Sequence, residues 1–258
     1  MQESGVLLPA GTRPSPFGVA NGGLAAHRPK GIIASTAVQE SGVPLPAGEK
    51  KRVSAIVRRL AKAYPDAECA LHHRSPFELL VATILSAQCT DQAVNKATPA
   101  LFARYLTPRE LAAAKREDVE TLIHSTGFYH NKAKSIQGAA QMLVDDFGGE
   151  VPRAMKDLLK LPGVARKTAN VVRGVCFGLA DGVVVDTHVR RISRRLGLTQ
   201  NEDPQKIEQD LMQLVPKSKW IAFSHQVIWH GRRICDAKKP KCEDCTLQQL
   251  CPSAFSFK

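Results

Sequence analysis

Four cysteines near the end of the chain are spaced Cys235-x6-Cys242-x2-Cys245-x5-Cys251 and are followed by Pro252. Four thiolates within seventeen residues can wrap one tetrahedral zinc ion or one cubane iron-sulfur cluster. The single CxxC with uneven flanks lacks the paired hairpins of a zinc ribbon, and disulfide pairing is the remaining arrangement; spacing alone does not choose among them. Lys238, Lys239 and Lys241 fill the loop between the first two cysteines and would project positive charge toward an anion.

A second group lies upstream, in LPGVARKTANVV (161–172). A glycine turn between Leu161 and a helix starting near Ala165 leaves free backbone N–H groups, which suits a phosphate regardless of base sequence. An ordinary helix connection has the same outline. Lys167 falls in the first turn of that helix, where the positive end of the dipole disfavours a cation. A lysine there is either a solvated side chain or an amine held for nucleophilic attack. Asp186 follows three valines and precedes Thr187 and His188, so it suits the N-cap of HVRRISRRLG. A carboxylate in that place could equally stabilise an oxocarbenium-like transition state. The same helix carries Arg190, Arg191, Arg194 and Arg195 with no acid between them, either a solvated face or one that meets phosphate.

The elements that must position these groups read as helices. Val53, Ile56, Val57 and Leu60 keep the i, i+3, i+4, i+7 spacing of an amphipathic helix with Arg52, Arg58, Arg59 and Lys62 opposite. Ser75-Pro76-Phe77-Glu78 predicts a capping box with proline at the first helical position, and Thr107-Pro108-Arg109-Glu110 repeats it. The stretch after Tyr129 is periodic to Phe147 and stops at Gly148-Gly149. Asp203-Pro204 opens a helix with Ile207, Leu211 and Leu214 inward. Only GVVVD (182–186) looks strand-like, and it is too short to found a sheet. The predicted fold class is all-α.

With 258 residues, 43% of them hydrophobic, the chain can bury a real core. A formal charge of +12 points to an anionic partner, nucleic acid among the foremost. No run approaches the roughly 20 apolar residues of a membrane span, so a soluble protein is expected. Cys69, Cys89 and Cys176 are scattered, which suits a reducing compartment with one metal site. Residues 1–48 hold 8 of the 18 glycines and 6 of the 16 prolines and read as a disordered tail. Within it QESGVLLPAG (2–11) recurs as QESGVPLPAG (39–48), identical at nine of ten positions, a local duplication. No basic region precedes a continuous apolar one, so a secretory signal is not expected, and the tail is Arg-poor for a transit peptide.

Taken in order, SPFELL (75–80), LSAQ (85–88), TGFYHNKA (126–133), LPGVARKTANVV, VDTH (185–188) and the terminal cysteines resemble the endonuclease III family of the helix-hairpin-helix DNA glycosylase superfamily, over about residues 49–258. The resemblance implies a two-lobed helix-hairpin-helix fold with a C-terminal iron-sulfur cluster loop. One helical lobe would cover 69–181, and a discontinuous cluster lobe 49–68 plus 182–258. It implies that Lys167 and Asp186 are the catalytic pair, that Leu161, Pro162, Gly163, Val164, Ala165 and Lys167 belong to the DNA-binding hairpin, and that the cysteines hold a 4Fe-4S cluster. Gln88 and Phe128 match positions that enter the duplex at the lesion, and Arg190 and Arg191 are expected on phosphates. The implied function is a bifunctional glycosylase and AP lyase that removes oxidised pyrimidines from damaged double-stranded DNA, as a monomer in the bacterial cytoplasm, associated with the nucleoid, with no membrane partner.

Two positions depart from the family pattern. Ala165 stands where a second hairpin glycine is usual, so its Cβ could crowd a phosphate or prevent a positive φ. Phe128 stands where a smaller aliphatic wedge is common. Two competing functions are distinguishable. A monofunctional adenine glycosylase needs no amine at the hairpin, and a non-enzymatic metal-containing DNA-binding regulator needs no Lys167 and Asp186 together and would not cut DNA.

Overall fold

A computed structural model of the protein describes residues 47–256. The tail expected over 1–48, with its duplicated decapeptide, lies outside the described residues except for Ala47 and Gly48, which instead begin the first helix.

Among the described residues eleven α-helices follow one another: α1 (Ala47–Ala63), α2 (Pro76–Leu85), α3 (Asp91–Arg104), α4 (Pro108–Ala113), α5 (Arg116–Ile123), α6 (Tyr129–Phe147), α7 (Met155–Leu158), α8 (Arg166–Phe177), α9 (Thr187–Arg195), α10 (Pro204–Leu214) and α11 (Trp220–Arg233). No strand occurs among the described residues. GVVVD runs as an extended connection into α9, with Val183 and Val185 buried and the Val184 N–H donating to Ser224 Oγ at 3.0 Å. Its β-branched residues suit extended backbone, but no second strand is available to pair with it.

The local punctuation works largely as the residue types dictate. Thr107 and Glu110 complete a reciprocal capping box before α4. At α2 only half of the box forms. Ser75 Oγ accepts from Glu78 N at 3.2 Å, while the Glu78 carboxylate reaches past it to the Arg74 backbone N–H at 2.7 Å and the Arg74 guanidinium at 2.8 Å. Arg74 supplies a charged donor that the Ser75 N–H cannot match. α6 ends at Gly148, which closes the helix in the left-handed conformation.

The described residues belong to one compact unit that contains two hydrophobic cores. The first is built from residues between Leu71 and Val172, around α2, α3, α5, α6 and α8. The second joins Val53, Ile56, Leu60 and Tyr64 to residues between Val183 and Leu247, around α1, α9, α10 and α11. The chain thus crosses between cores twice, near 64–71 and near 172–183. Polar contacts bridge them: Arg232 on α11 pairs with Asp91 on α3, and the Trp229 indole N–H reaches the Glu68 carbonyl at 3.2 Å.

Candidate active site and cysteine loop

The short α7, the turn Leu161–Val164 and α8 form the hairpin. Leu161 and Val164 are buried and anchor it to the first core, and Pro162 packs beside Gly138 of α6. Gly163 has φ +77, and a Cβ built there would stand 2.8 Å from Ser135 Cβ. Both backbone and space therefore require glycine at this position. Ala165, in contrast, has φ −97 and ψ 173, ordinary extended backbone, and is exposed. Ala165 takes no positive φ, and the left-handed residue of this turn is Gly163. Ala165 is the N-cap of α8 and offers no side-chain hydrogen bond, so the first-turn amides remain available to an external anion. Gly163→Ala is expected to destabilise the fold by about 1–3 kcal/mol, a fall in Tm of roughly 2–10 °C, and to weaken binding of duplex DNA; a melt and a salt titration check it.

Lys167 is the second residue of α8 and is exposed. Among the described residues no hydrogen bond or ion pair engages its nitrogen. Asp186 is the N-cap of α9: its Oδ1 accepts from Val189 N at 2.8 Å. Capping uses one carboxylate oxygen and leaves the other for a second partner. His188 follows closely; burial pushes its pKa down, and the Asp186 carboxylate opposes that shift. Its ring fits against α11 because Gly231 is there, a Cβ on which would come within 2.8 Å of His188 Nδ1. Lys167 and Asp186 thus head two helices belonging to different cores.

Gln88 and Phe128 share a rarer property. Among the described residues only they and Phe255 carry a non-glycine side chain at positive φ, at 51°, 48° and 61°. Phe128 is 65% exposed, and Gln88 is exposed on the turn after α2. Each such conformation costs about 1–3 kcal/mol and persists where surrounding structure enforces it, often at binding sites. The enforcing residue beside Phe128 is Lys132. It is only 5% exposed, and its Nζ donates to the Thr126 carbonyl at 2.7 Å, pinning the turn that presents Phe128. Burial lowers its pKa and Cys89, next to Gln88, opposes. Sequence reading missed Lys132, although a signal existed: it lies in register with Ile136, Ala140 and Leu143 on the apolar face of α6.

The arginines of α9 differ from expectation. Glu202 sets an acid against them, accepting from Arg194 at 2.7 Å and lying 3.7 Å from Arg190. Arg191 is half-buried, its Nη2 donating to the carbonyls of Gly231 at 3.1 Å and Cys235 at 3.0 Å. Arg195 donates to Cys235 Sγ at 3.3 Å and to the Asp236 and Ala237 carbonyls. Two neighbouring stripes of one helix therefore divide the labour: Arg190 and Arg194 are exposed, while Arg191, expected on phosphate, and Arg195 brace the cysteine loop. All four still line one open cleft with Thr187, Gln200 and Ser253.

All seven cysteines are free thiols, so the disulfide arrangement is not adopted. Cys235, Cys242, Cys245 and Cys251 line a single pocket with Ile192, Leu196, His230 and Leu247. Among the described residues no three His, Cys, Asp or Glu groups stand as a closed metal-ligand set. The donor set and its surroundings nevertheless fit a thiolate-bound cluster. N–H groups of Arg195 and Leu247 already point at sulfur, the latter at 3.4 Å from Cys245 Sγ, as donors to cluster thiolates do. Burial pushes the Cys245 and Cys251 thiols up, and a metal would drive those protons off. From α1, Arg52 reaches the Leu196 and Leu250 carbonyls at 2.7 and 2.9 Å and ties the loop to the second core.

Residues 81–217 match the family described as HhH-GPD superfamily base excision DNA repair protein. The chain is 57% identical over 208 residues to an endonuclease III of Synechocystis sp., covering 81% of this chain and 95% of that one. It is 46% identical over 202 residues to an endonuclease III of Bacillus subtilis, covering 78% and 92%. Among solved structures, a trapped endonuclease III–DNA covalent intermediate superposes with TM-score 0.75 at 47% identity, covering 78% of this chain and 95% of that one.

Proposed function

The chain belongs to the endonuclease III family of base-excision DNA repair proteins, and on that premise we propose that it is a bifunctional DNA glycosylase and AP lyase acting on oxidised pyrimidines in duplex DNA through Lys167. The observation that carries this reading is an exposed lysine, engaged by no other group among the described residues, at the head of a helix whose uncapped first turn suits a phosphate. Capture of the solved relative as a covalent intermediate supports a covalent route over direct hydrolysis.

A base inside a duplex is out of reach, so the damaged nucleotide must leave the stack. Phe128 and Gln88, both presented on strained turns, fill the space it vacates. The Lys167 nitrogen forms a bond to C1′ as the glycosidic C–N bond breaks and the base departs with its electron pair. Asp186 stabilises the positive charge that develops at the sugar, and a proton leaves the lysine nitrogen. Opening of the sugar ring gives a Schiff base, which acidifies the C2′ proton. Loss of that proton expels the 3′ phosphate and cuts the strand. Arg190, the hairpin amides and Lys238, Lys239 and Lys241 hold the flanking phosphates. Borohydride trapping on duplexes carrying different lesions tests the reading: a covalent adduct that depends on the lesion is expected, and cleavage without any adduct overturns it.

Cys235, Cys242, Cys245 and Cys251 would hold a 4Fe-4S cluster, which when bound supplies four iron–sulfur bonds that close the basic loop onto α9 and α11. Cys242→Ser is expected to reduce iron content and lower Tm by removing one ligand. Elemental analysis and visible charge-transfer absorption check it, and stoichiometric zinc without that absorption would replace the cluster. Among the described residues no helix is long and apolar enough to cross a membrane. We place the protein as a monomer in the bacterial cytoplasm, on the nucleoid.

A further inference from the structure

Glu208, on α10, is 7% exposed and belongs to none of the chemistry above. Its carboxylate takes a two-pronged ion pair from Arg166, Nε to Oε2 at 2.9 Å and Nη2 to Oε1 at 3.0 Å. Oε1 also accepts from the buried Asn170 amide at 3.0 Å. Arg166 immediately precedes Lys167, and Asn170 lies one turn further along α8. The same carboxylate touches the other half of the site. Gly182, at the start of the connection that ends in Asp186, packs so closely that a Cβ built there would overlap Glu208 Oε1 and approach its Cδ to 2.7 Å. Arg166 Nη2 adds a 3.4 Å contact to the Asp181 carbonyl. One buried carboxylate therefore abuts the helix that carries Lys167 and the connection that leads to Asp186. Among the described residues Asn170 Oδ1 is buried without a hydrogen-bond partner, and such an atom asks for a reason beyond packing.

We infer that Glu208 is a positioning residue that sets the distance between Lys167 and Asp186, an inference resting on the catalytic pair proposed above. A two-pronged arginine–carboxylate pair holds direction as well as distance. A displacement near 1 Å at reacting atoms lowers rates by up to about 100-fold. The two chemical steps depend on this spacing unequally. Removal of a damaged base uses Lys167 and Asp186 together, whereas a preformed abasic site already offers an aldehyde to Lys167.

The test uses the full-length holoprotein and single-turnover borohydride trapping. Glu208→Gln is expected to leave affinity for damaged duplex within about two-fold and to slow adduct formation on a base lesion by about 10- to 100-fold. On a preformed abasic duplex the loss should be smaller by about ten-fold. Gly182→Ala should reproduce that split in wild type and add little in a Glu208→Ala background, where the atoms it would strike are gone. Loss of both steps in equal proportion, tracking the folded fraction in a melt, overturns the inference, as does an equal effect of Gly182→Ala in both backgrounds. If wild type forms no adduct on either substrate, the Lys167 reading falls and takes this inference with it; a trapping wild type with unaffected Glu208 variants sinks this inference alone.

Discussion

Lys167→Gln is expected to bind damaged duplex DNA and to form no borohydride-trapped adduct, with base removal and strand cutting both reduced by a factor on the order of 10³ or more. Glutamine keeps most of the side chain's reach and removes the amine. Because the lysine nitrogen has no partner among the described residues to abandon, the substitution should not disturb α8, and Tm should change by no more than a few degrees. The loss of one positive charge should weaken binding modestly and reduce the dependence on salt by about one phosphate contact. Persistence of trapping near the wild-type rate would assign the nucleophile to a different amine. Lys132, which pins the turn that presents Phe128, donates to a backbone carbonyl and is buried, so Lys132→Met is the variant to examine in that event.

Asp186→Asn comes second in expected effect. Asparagine caps a helix about as well as aspartate, and the Asp186 Oδ1 contact to Val189 N uses an oxygen that asparagine retains. The fold should therefore persist while the negative charge at the sugar is lost, and base removal should fall by roughly 10²–10³-fold. Cutting of a preformed abasic site should survive within about ten-fold, since that step begins from an aldehyde. Asp186→Ala removes cap and charge together and should add a stability loss of about 1 kcal/mol. A glycosylase rate for Asp186→Asn equal to wild type would reduce Asp186 to a capping residue. Measuring both steps on both variants separates the two roles that the one side chain combines.

Much of this protein was legible before any coordinates. Helices α1, α6 and α10 follow from apolar spacing and from Gly148 and Asp203 at their ends, because helix periodicity and capping are relations between residues three to five apart. The hairpin turn, the exposed lysine after it and the cap at Asp186 are equally local. So is the cysteine spacing as a candidate metal loop. What stayed hidden involves partners far along the chain. Arg190 and Arg191 are neighbours of one type, yet one faces solvent and the other braces residues 40 and 44 positions away; the rotation of α9 against α11 decides which. Likewise the demand for glycine at position 163 rests on Ser135, whose packing against the turn only the fold shows.

Residue types and their short spacings thus determined that the described residues are helical, where α2, α4, α6 and α10 begin, and which groups are candidates for chemistry. The tertiary structure alone decided how those groups are held. Glu208 reads as an ordinary acid on an amphipathic helix, and its link to Arg166, 42 residues earlier, exists only once two cores are brought together. The physical reason is that a side chain's energy in the folded state depends on desolvation and on the partner that desolvation allows, and both are properties of the assembled interior rather than of the neighbours in sequence.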